Sequence, residues 1–455
     1  MGKCPHCGAE FAFDPKSQLV HCDYCGSDFN PTELKENIKG AKIDEFEGKA
    51  FMCTQCGATL LTFDETAITF CSYCGSQNMI EENMMKVNSP DYIIPFSITK
   101  DQCIANYKKK VAGFLFCPSY MKSELVLNKI RGIYMPYGIY KLGYNGNSRN
   151  HGQRYSHRWG DYVYYNDYTI SADVNVTYDC LSYDLLSKFY DDYSMAIPFN
   201  FKKAENFNTN YLSGFYADTK DVDESVYLND ALYAANTDTT RLMSKTLTYR
   251  MHGCYSPHVK LDIKDVKTGM FPVYFLAIHD KKREHLHYAI INGQTGKVAA
   301  DLPIDFFKYI LFSIVLAIPI FMFLMVLPVI LPIVIDFFAI AAAIIGGIIC
   351  IVQLNACENK ESLKNDKGYL FIKKENVKLK NSFFPFKYAW KYLLAILVAL
   401  VPIVTQPVND SYYYIASVIS LGLILLSFFD LVKIHNRLVS RPIPQLEKRG
   451  GDENA

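Results

Sequence analysis

Residues 306–354 read FFKYILFSIVLAIPIFMFLMVLPVILPIVIDFFAIAAAIIGGIICIVQL. Past Lys308, the only charge in this run is Asp336. As a single helix it would be roughly 70 Å long, about twice the ~30 Å hydrocarbon core of a bilayer. Pro328 and Pro332 stand near its middle, where proline removes a backbone donor and ends a helix. The stretch therefore predicts two membrane spans, 306–327 and 333–354, joined by a tight turn.

The same device recurs further on. Lys391-Tyr392-Leu393-Leu394 through Pro402-Ile403 echoes Lys308-Tyr309-Ile310-Leu311 through Pro319-Ile320 with the same Lys-to-Pro spacing, and Ser411–Phe429 is again apolar. Internal repetition predicts a duplicated helical hairpin: transmembrane hairpin 1 at 306–354 and hairpin 2 at 389–432, a four-helix transmembrane region. The loop 355–388 and the tail 433–455 are rich in Lys and Arg, whereas the turns near Pro328–Pro332 and Pro407–Ser411 carry none. Cationic excess marks the cytoplasmic side. A multi-pass cell-membrane protein is expected, with the lipid bilayer around its helices and both termini cytoplasmic. No signal peptide is expected, because Met1-Gly2-Lys3-Cys4 opens directly on a cysteine motif. Asp336 and Asp430 fall near span ends rather than at mid-depth, where a transport pathway needs its ionisable groups. Gly346-Gly347 would permit close helix contact. These are features of an anchor, or of a bundle that assembles as a homo-oligomer.

Whole-chain averages conceal this division. The chain has 455 residues, a net charge of +1 and half its residues hydrophobic, but a polar N-terminal part is averaged with a greasy C-terminal one. Fourteen cysteines in a reducing compartment point to metal binding rather than disulfides. Eight of them form four Cys-x-x-Cys-Gly units: Cys4/Cys7, Cys22/Cys25, Cys53/Cys56 and Cys71/Cys74. Each pair of units is separated by 14 residues, and the second pair repeats the first 49 residues later. A Cys-x-x-Cys turn presents two thiolates to one ion, and glycine permits the left-handed turn beyond the second ligand. Two such turns complete a tetrahedral four-sulfur shell, for which Zn2+ is the usual ion and rubredoxin-like iron the alternative. A closed shell has no open position, so both sites are expected to be structural. Units of this size depend on their metal to fold. The expected organisation is zinc ribbon 1 at 1–29, a charged linker at 30–50 and zinc ribbon 2 at 51–80.

Residues 1–80 contain six Lys, no Arg and eleven Asp or Glu. Non-specific nucleic-acid binding requires cations that displace counterions from phosphates, so this charge argues against nucleic acid and for a protein partner, cytoplasmic or in the membrane.

The stretch 90–304 has the apolar and aromatic content of a real core. Thr99 and Gln102 predict a capping box at the start of a helix over 100–113. Ile133–Tyr144 and Tyr162–Tyr178 alternate as strands do, flanking an expected mobile loop at Asn145–Arg158. Helices are expected near Ser182–Tyr190 and Asp221–Lys245. Strands Phe271–Ile278 and His285–Ile291, then the turn Asn292-Gly293, predict a closing meander. The fold class is therefore multidomain: two small zinc ribbons, an α+β domain with an antiparallel sheet, and the transmembrane region. His151, His157 and Asp161, or His279, His285 and His287, could in principle hold a catalytic metal. Both sets fall at polar hairpin tips where such residues are normally solvated, and no nucleophile elbow, P-loop or His-Glu-x-x-His is present. Cys103, Cys117, Cys180 and Cys254 are isolated and read as core packing.

Cys4-Pro5-His6-Cys7-Gly8 with its second knuckle, repeated once, resembles the TFIIB-type zinc ribbon. The wider pattern resembles bacterial multi-pass membrane proteins in which tandem ribbons precede stretches like Asp91–Phe96, Tyr134-Met135-Pro136, Tyr211–Phe215 and Ile291–Lys297. Such proteins are often labelled replication-restart helicases, a label that the missing nucleotide-binding loop contradicts here. Some resemble phage-shock-type and flotillin-like membrane-stress proteins, which implies an adaptor role at the inner face. The expectation is thus a non-enzymatic membrane adaptor or scaffold that recruits or senses a cytoplasmic protein. The alternatives are a membrane-tethered nucleic-acid-binding regulator and a metal-dependent hydrolase built on the middle-domain histidines.

Overall fold

The computed structural model describes residues 3–34, 45–63, 68–246, 250–251, 259–280, 285–324, 331–363, 365–373 and 384–442. Cys254, most of the turn expected at Pro328–Pro332, the second half of the Lys-rich loop up to 383 and the tail beyond 442 lie outside these residues.

The two cysteine repeats fold into different surroundings. In the first, β1 (Ala12–Asp14), β2 (Leu19–His21) and β3 (Asp28–Phe29) form their own three-stranded sheet. In the second, β4 (Glu45–Cys53), β5 (Thr59–Thr62) and β6 (Met79–Asn88) belong to a thirteen-stranded sheet. β4 begins inside the stretch expected as linker, where Glu45 pairs with Asn88. Leu60 and Leu61 of β5 are fully buried. Burial of that apolar pair requires a neighbour, and the chain supplies one from far along the sequence, where Ala217 pairs with Leu61 and Asp218 with Leu60.

The rest of the sheet builds around one very long hairpin. β7 (Tyr92–Ile93) leads into α1 (Lys100–Ala112), whose capping box is present: Gln102 N donates to Thr99 Oγ1 and Thr99 N to Gln102 Oε1. The short α2 (Glu124–Leu127) precedes β8 (Arg131–Trp159) and β9 (Tyr162–Asp184), which pair antiparallel to the tip. Asn145–Arg158 is therefore strand, not a mobile loop. Its polar residues satisfy one another across the ribbon: Asn147 with Asp173, Gln153 with Asp167, and the His157 ring stacked on Tyr164 at 4.6 Å. Ser182–Asp184 likewise closes β9, opposite Ile139–Tyr137, and the expected helix starts only at α3 (Asp191–Ala196).

β10 (Glu205–Asn206), β11 (Tyr216–Asp218), α4 (Leu228–Thr246) and β12 (Arg250–Met251) follow, then β13 (Asp262–Asp280), β14 (His285–Asn292) and β15 (Val298–Ala300). Pairing is antiparallel except between β11 and β8 and between β13 and β7. β13 carries ten consecutive buried residues, Gly269–Ile278, so neither of its faces is open there; a strand covered on both sides reads as a continuous apolar run.

Five helices follow among the described residues: α5 (Phe306–Leu324), α6 (Pro332–Glu361), α7 (Lys367–Lys373), α8 (Phe384–Thr405) and α9 (Ser411–Leu438). Three are long and apolar enough to cross a membrane: α6, α9 and the Tyr388–Thr405 part of α8. The apolar part of α5, Phe306–Pro319, is shorter. α6, α8 and α9 pack together. Gly346 receives the Tyr392 ring so closely that a Cβ there would stand 2.6 Å from it. Asp336 is fully buried and accepts a hydrogen bond from Ser417 Oγ at 2.6 Å. Beyond α9, β16 (Arg441–Pro442) pairs with β14, Arg441 opposite Leu286. The helices thus return to the sheet that precedes them.

Candidate metal centres

Cys4, Cys7, Cys22 and Cys25 place their sulfurs within 4.8 Å of one another, and so do Cys53, Cys56, Cys71 and Cys74. Cross-knuckle separations are 3.6 Å for Cys4–Cys25 and Cys7–Cys22, 3.5 Å for Cys53–Cys74 and 3.6 Å for Cys56–Cys71. A tetrahedron with metal–sulfur bonds of about 2.3 Å has edges of ~3.8 Å, so both donor sets fit a metal ion. No further group of three or more potential ligands occurs among the described residues.

Local sequence builds each half-site identically. Gly8, Gly26, Gly57 and Gly75 have φ of +74°, +68°, +69° and +70°, a conformation that a side chain disfavours. Each donates its N–H to the carbonyl of the first cysteine of its unit, at 2.7–2.8 Å. The first cysteine's own N–H returns to the residue after the glycine: Cys4 to Ala9, Cys22 to Ser27, Cys53 to Ala58 and Cys71 to Ser76. The Cys-x-x-Cys-Gly spacing is thus a closed hydrogen-bonded turn that aims two thiols to one side.

Tertiary packing separates the copies. Cys7 and Cys25 are exposed, whereas all four cysteines of the second centre are buried. Tyr24 and Tyr73 occupy equivalent positions in the repeat, yet Tyr24 is 82% exposed and Tyr73 2%. The Tyr73 ring meets Phe275 of β13 at 5.1 Å, and its hydroxyl donates to Asp218 of β11. Lys188 donates from Nζ to the Gly57 carbonyl in the other knuckle. Burial pushes Asp218 up to about 7, against the Tyr73 hydrogen bond that lowers it. Neither Asp218 nor Lys188 carries a signal in the sequence that ties it to a cysteine turn. Of the residues flanking the ligands, His6 and His21 stay outside the shells: His6 contacts Ser27 and His21 contacts Asp28, at 3.0 and 2.7 Å.

The middle-domain histidines are not assembled. His151 and His157 lie along the β8–β9 ribbon. His287, expected at a solvated tip, is 1% exposed and contacts the Val439 carbonyl at 2.6 Å, because β14 is covered by the chain leaving α9. Burial holds its imidazole below the usual range.

No protein-family model matches the chain, and no solved structure matches it. It is 30% identical over 317 residues to the uncharacterized protein YdjG of Bacillus subtilis (strain 168), an alignment that takes in 67% of this chain and 90% of that protein. The match spans nearly the whole relative at this identity, and the chain belongs to the same family as YdjG.

Proposed function

We propose that the protein is a non-enzymatic membrane adaptor: two zinc-folded units and the sheet domain form a cytoplasmic head that engages a protein partner, and the apolar helices hold it at the inner face of the membrane. Zinc is the ion expected for four thiolates in a closed shell. The Lys and Arg of 355–388 and 433–441 support a cytoplasmic head, and α5 would supply a fourth span.

One observation carries the reading. Among the described residues β6 ends the thirteen-stranded sheet and pairs with β4 alone, and it exposes nearly all of its ten residues, Ile80, Met84 and Met85 among them. An open strand edge is a template for another chain, and methionine suits a surface that adapts to a partner. β4 on its other side runs directly into Cys53, so the metal centre fixes this edge. The same sheet takes in β16, which follows the last membrane-type helix and pairs with β14. Head and helices are one continuous hydrogen-bonded unit.

Photo-crosslinking from Glu82 in native membranes tests this. A protein adduct that disappears in Cys53→Ser, while the variant still sediments with membranes, is the expected result. An adduct indifferent to the loss of Cys53 and Cys56 refutes it.

A further inference from the structure

Where α6 and α9 end, they meet the sheet domain around a cavity of about 300 Å³. Its lining carries both signs of charge: Lys360 and Arg441, and Asp191, Asp192 and Asp366. Arg441 is only 3% exposed. Its Nη1 donates to the Lys360 carbonyl at 2.8 Å, its Nη2 reaches Asp192 at 3.3 Å, and its guanidinium lies 4.3 Å from the Tyr190 ring centre. Its Nε is buried with no acceptor among the described residues. Lys360 leans on Asp301 at 3.5 Å and the Leu438 carbonyl at 2.7 Å. Of the carboxylates, Asp366 is 5% exposed; burial and the neighbouring Asp191 push it up to about 7.

The position of the cavity narrows the choice of ligand. The apolar run of α6 ends at Leu354, and Lys360 comes six residues later, about 9 Å along the axis. Head groups occupy the layer some 5–8 Å thick beyond the hydrocarbon, so Asn359 and Lys360 stand at its far side. A simple anion would meet three aspartates, and a simple cation would meet Arg441 and Lys360. A ligand with a phosphodiester and a primary ammonium a few ångströms apart satisfies both sets.

We propose that this cavity binds the zwitterionic head group of a phosphoethanolamine lipid, its phosphodiester on Arg441 and Lys360 and its ammonium against Asp366 and Asp192. The proposal rests on the reading of α6 and α9 as membrane spans.

The test uses the full chain, purified in detergent and exposed to equimolar phosphatidylethanolamine, phosphatidylcholine and phosphatidylglycerol, with retained lipid read by native mass spectrometry. At least tenfold preference for phosphatidylethanolamine is expected, and its loss in Arg441→Gln and in the near-isosteric Asp366→Asn. Equal retention of the three lipids overturns the site, and so does a preference that survives both substitutions. Binding of free O-phosphoethanolamine without a lipid preference makes the ligand a soluble metabolite and overturns the lipid assignment. If Arg441→Gln loses bound metal and so has not folded, Asp366→Asn decides. Alkaline extraction of native membranes is run beside it: a chain released into the supernatant refutes the membrane reading, whereas a chain that stays in the pellet without lipid preference refutes only the site.

Discussion

Tyr73, between the third and fourth cysteines of the second metal centre, donates its hydroxyl to the buried carboxylate of Asp218, 145 residues away in sequence. That bond, with the Tyr73–Phe275 ring contact, makes the centre part of the sheet. Tyr73→Phe keeps the ring and removes the donor. Leaving a buried acceptor short of a partner costs about 1–3 kcal/mol, so the thermal midpoint of the purified chain should fall by several degrees. Tyr24→Phe, at the exposed equivalent, should leave it unchanged. Equal effects at the two positions would show that the second centre is no better anchored than the first.

Metal should leave in two steps. Cys7 and Cys25 of the first centre are exposed, and the second centre is buried throughout. A chelator in a colorimetric release assay is expected to strip one equivalent quickly and the second far more slowly. Cys4→Ser should abolish the fast phase alone. A single phase that accounts for both ions contradicts the difference in burial.

The packing of α7 on α3 should weaken as the pH rises. Asp366 accepts from Tyr369 N and Asp191 N, and its folded-state value of about 7 lies above the ordinary carboxylate value of 3.8, through burial and then Asp191, with Arg441 acting in the opposite sense. A raised value means that the folded state favours the protonated acid. Its contribution is complete below about pH 4 and is lost as pH rises through about 7. Hydrogen exchange over 365–373, corrected for its intrinsic pH dependence, should therefore accelerate between about pH 4 and about pH 7 and level off above that. Asp366→Asn should flatten the profile, and an unchanged profile would assign the effect elsewhere.

Gly346 is the contact point of α6 with α8. A Cβ there would fall 2.6 Å from Tyr392 Cε1, and overpacking of this kind destabilises by about 1–3 kcal/mol. Gly346→Val should lower the helical melting temperature in detergent. The paired change with Tyr392→Ala should recover part of the loss, since it removes the ring that clashes. Gly422, with open space around its Cα, provides the control: Gly422→Ala should be neutral or stabilising.

Much of this was legible from local pattern. The four Cys-x-x-Cys-Gly units specify their own hydrogen-bonded turns, because the glycine φ and the ring closure involve only five or six adjacent residues. The Thr99–Gln102 capping box is equally local, and the membrane-type helices announce themselves by length and hydrocarbon. Asn145–Arg158 misled for a physical reason: Gly, Asn, Ser and Arg are common in loops, but here the stretch runs in register with β9, and Asn147 and Gln153 bond Asp173 and Asp167 across the ribbon. His287 misled because what buries it, Val439, is 152 residues away.

By itself the sequence determined which sulfurs come together and which stretches are apolar enough to form membrane-type helices, since spacing within a turn and hydropathy along a helix are properties of neighbouring residues. Only the tertiary structure decided that the second cysteine repeat is a buried part of the large sheet while the first stays outside it. The reason is that Tyr24 and Tyr73 are the same residue in the same motif, and only the second finds Asp218 and Phe275 brought beside it by strands from far along the chain.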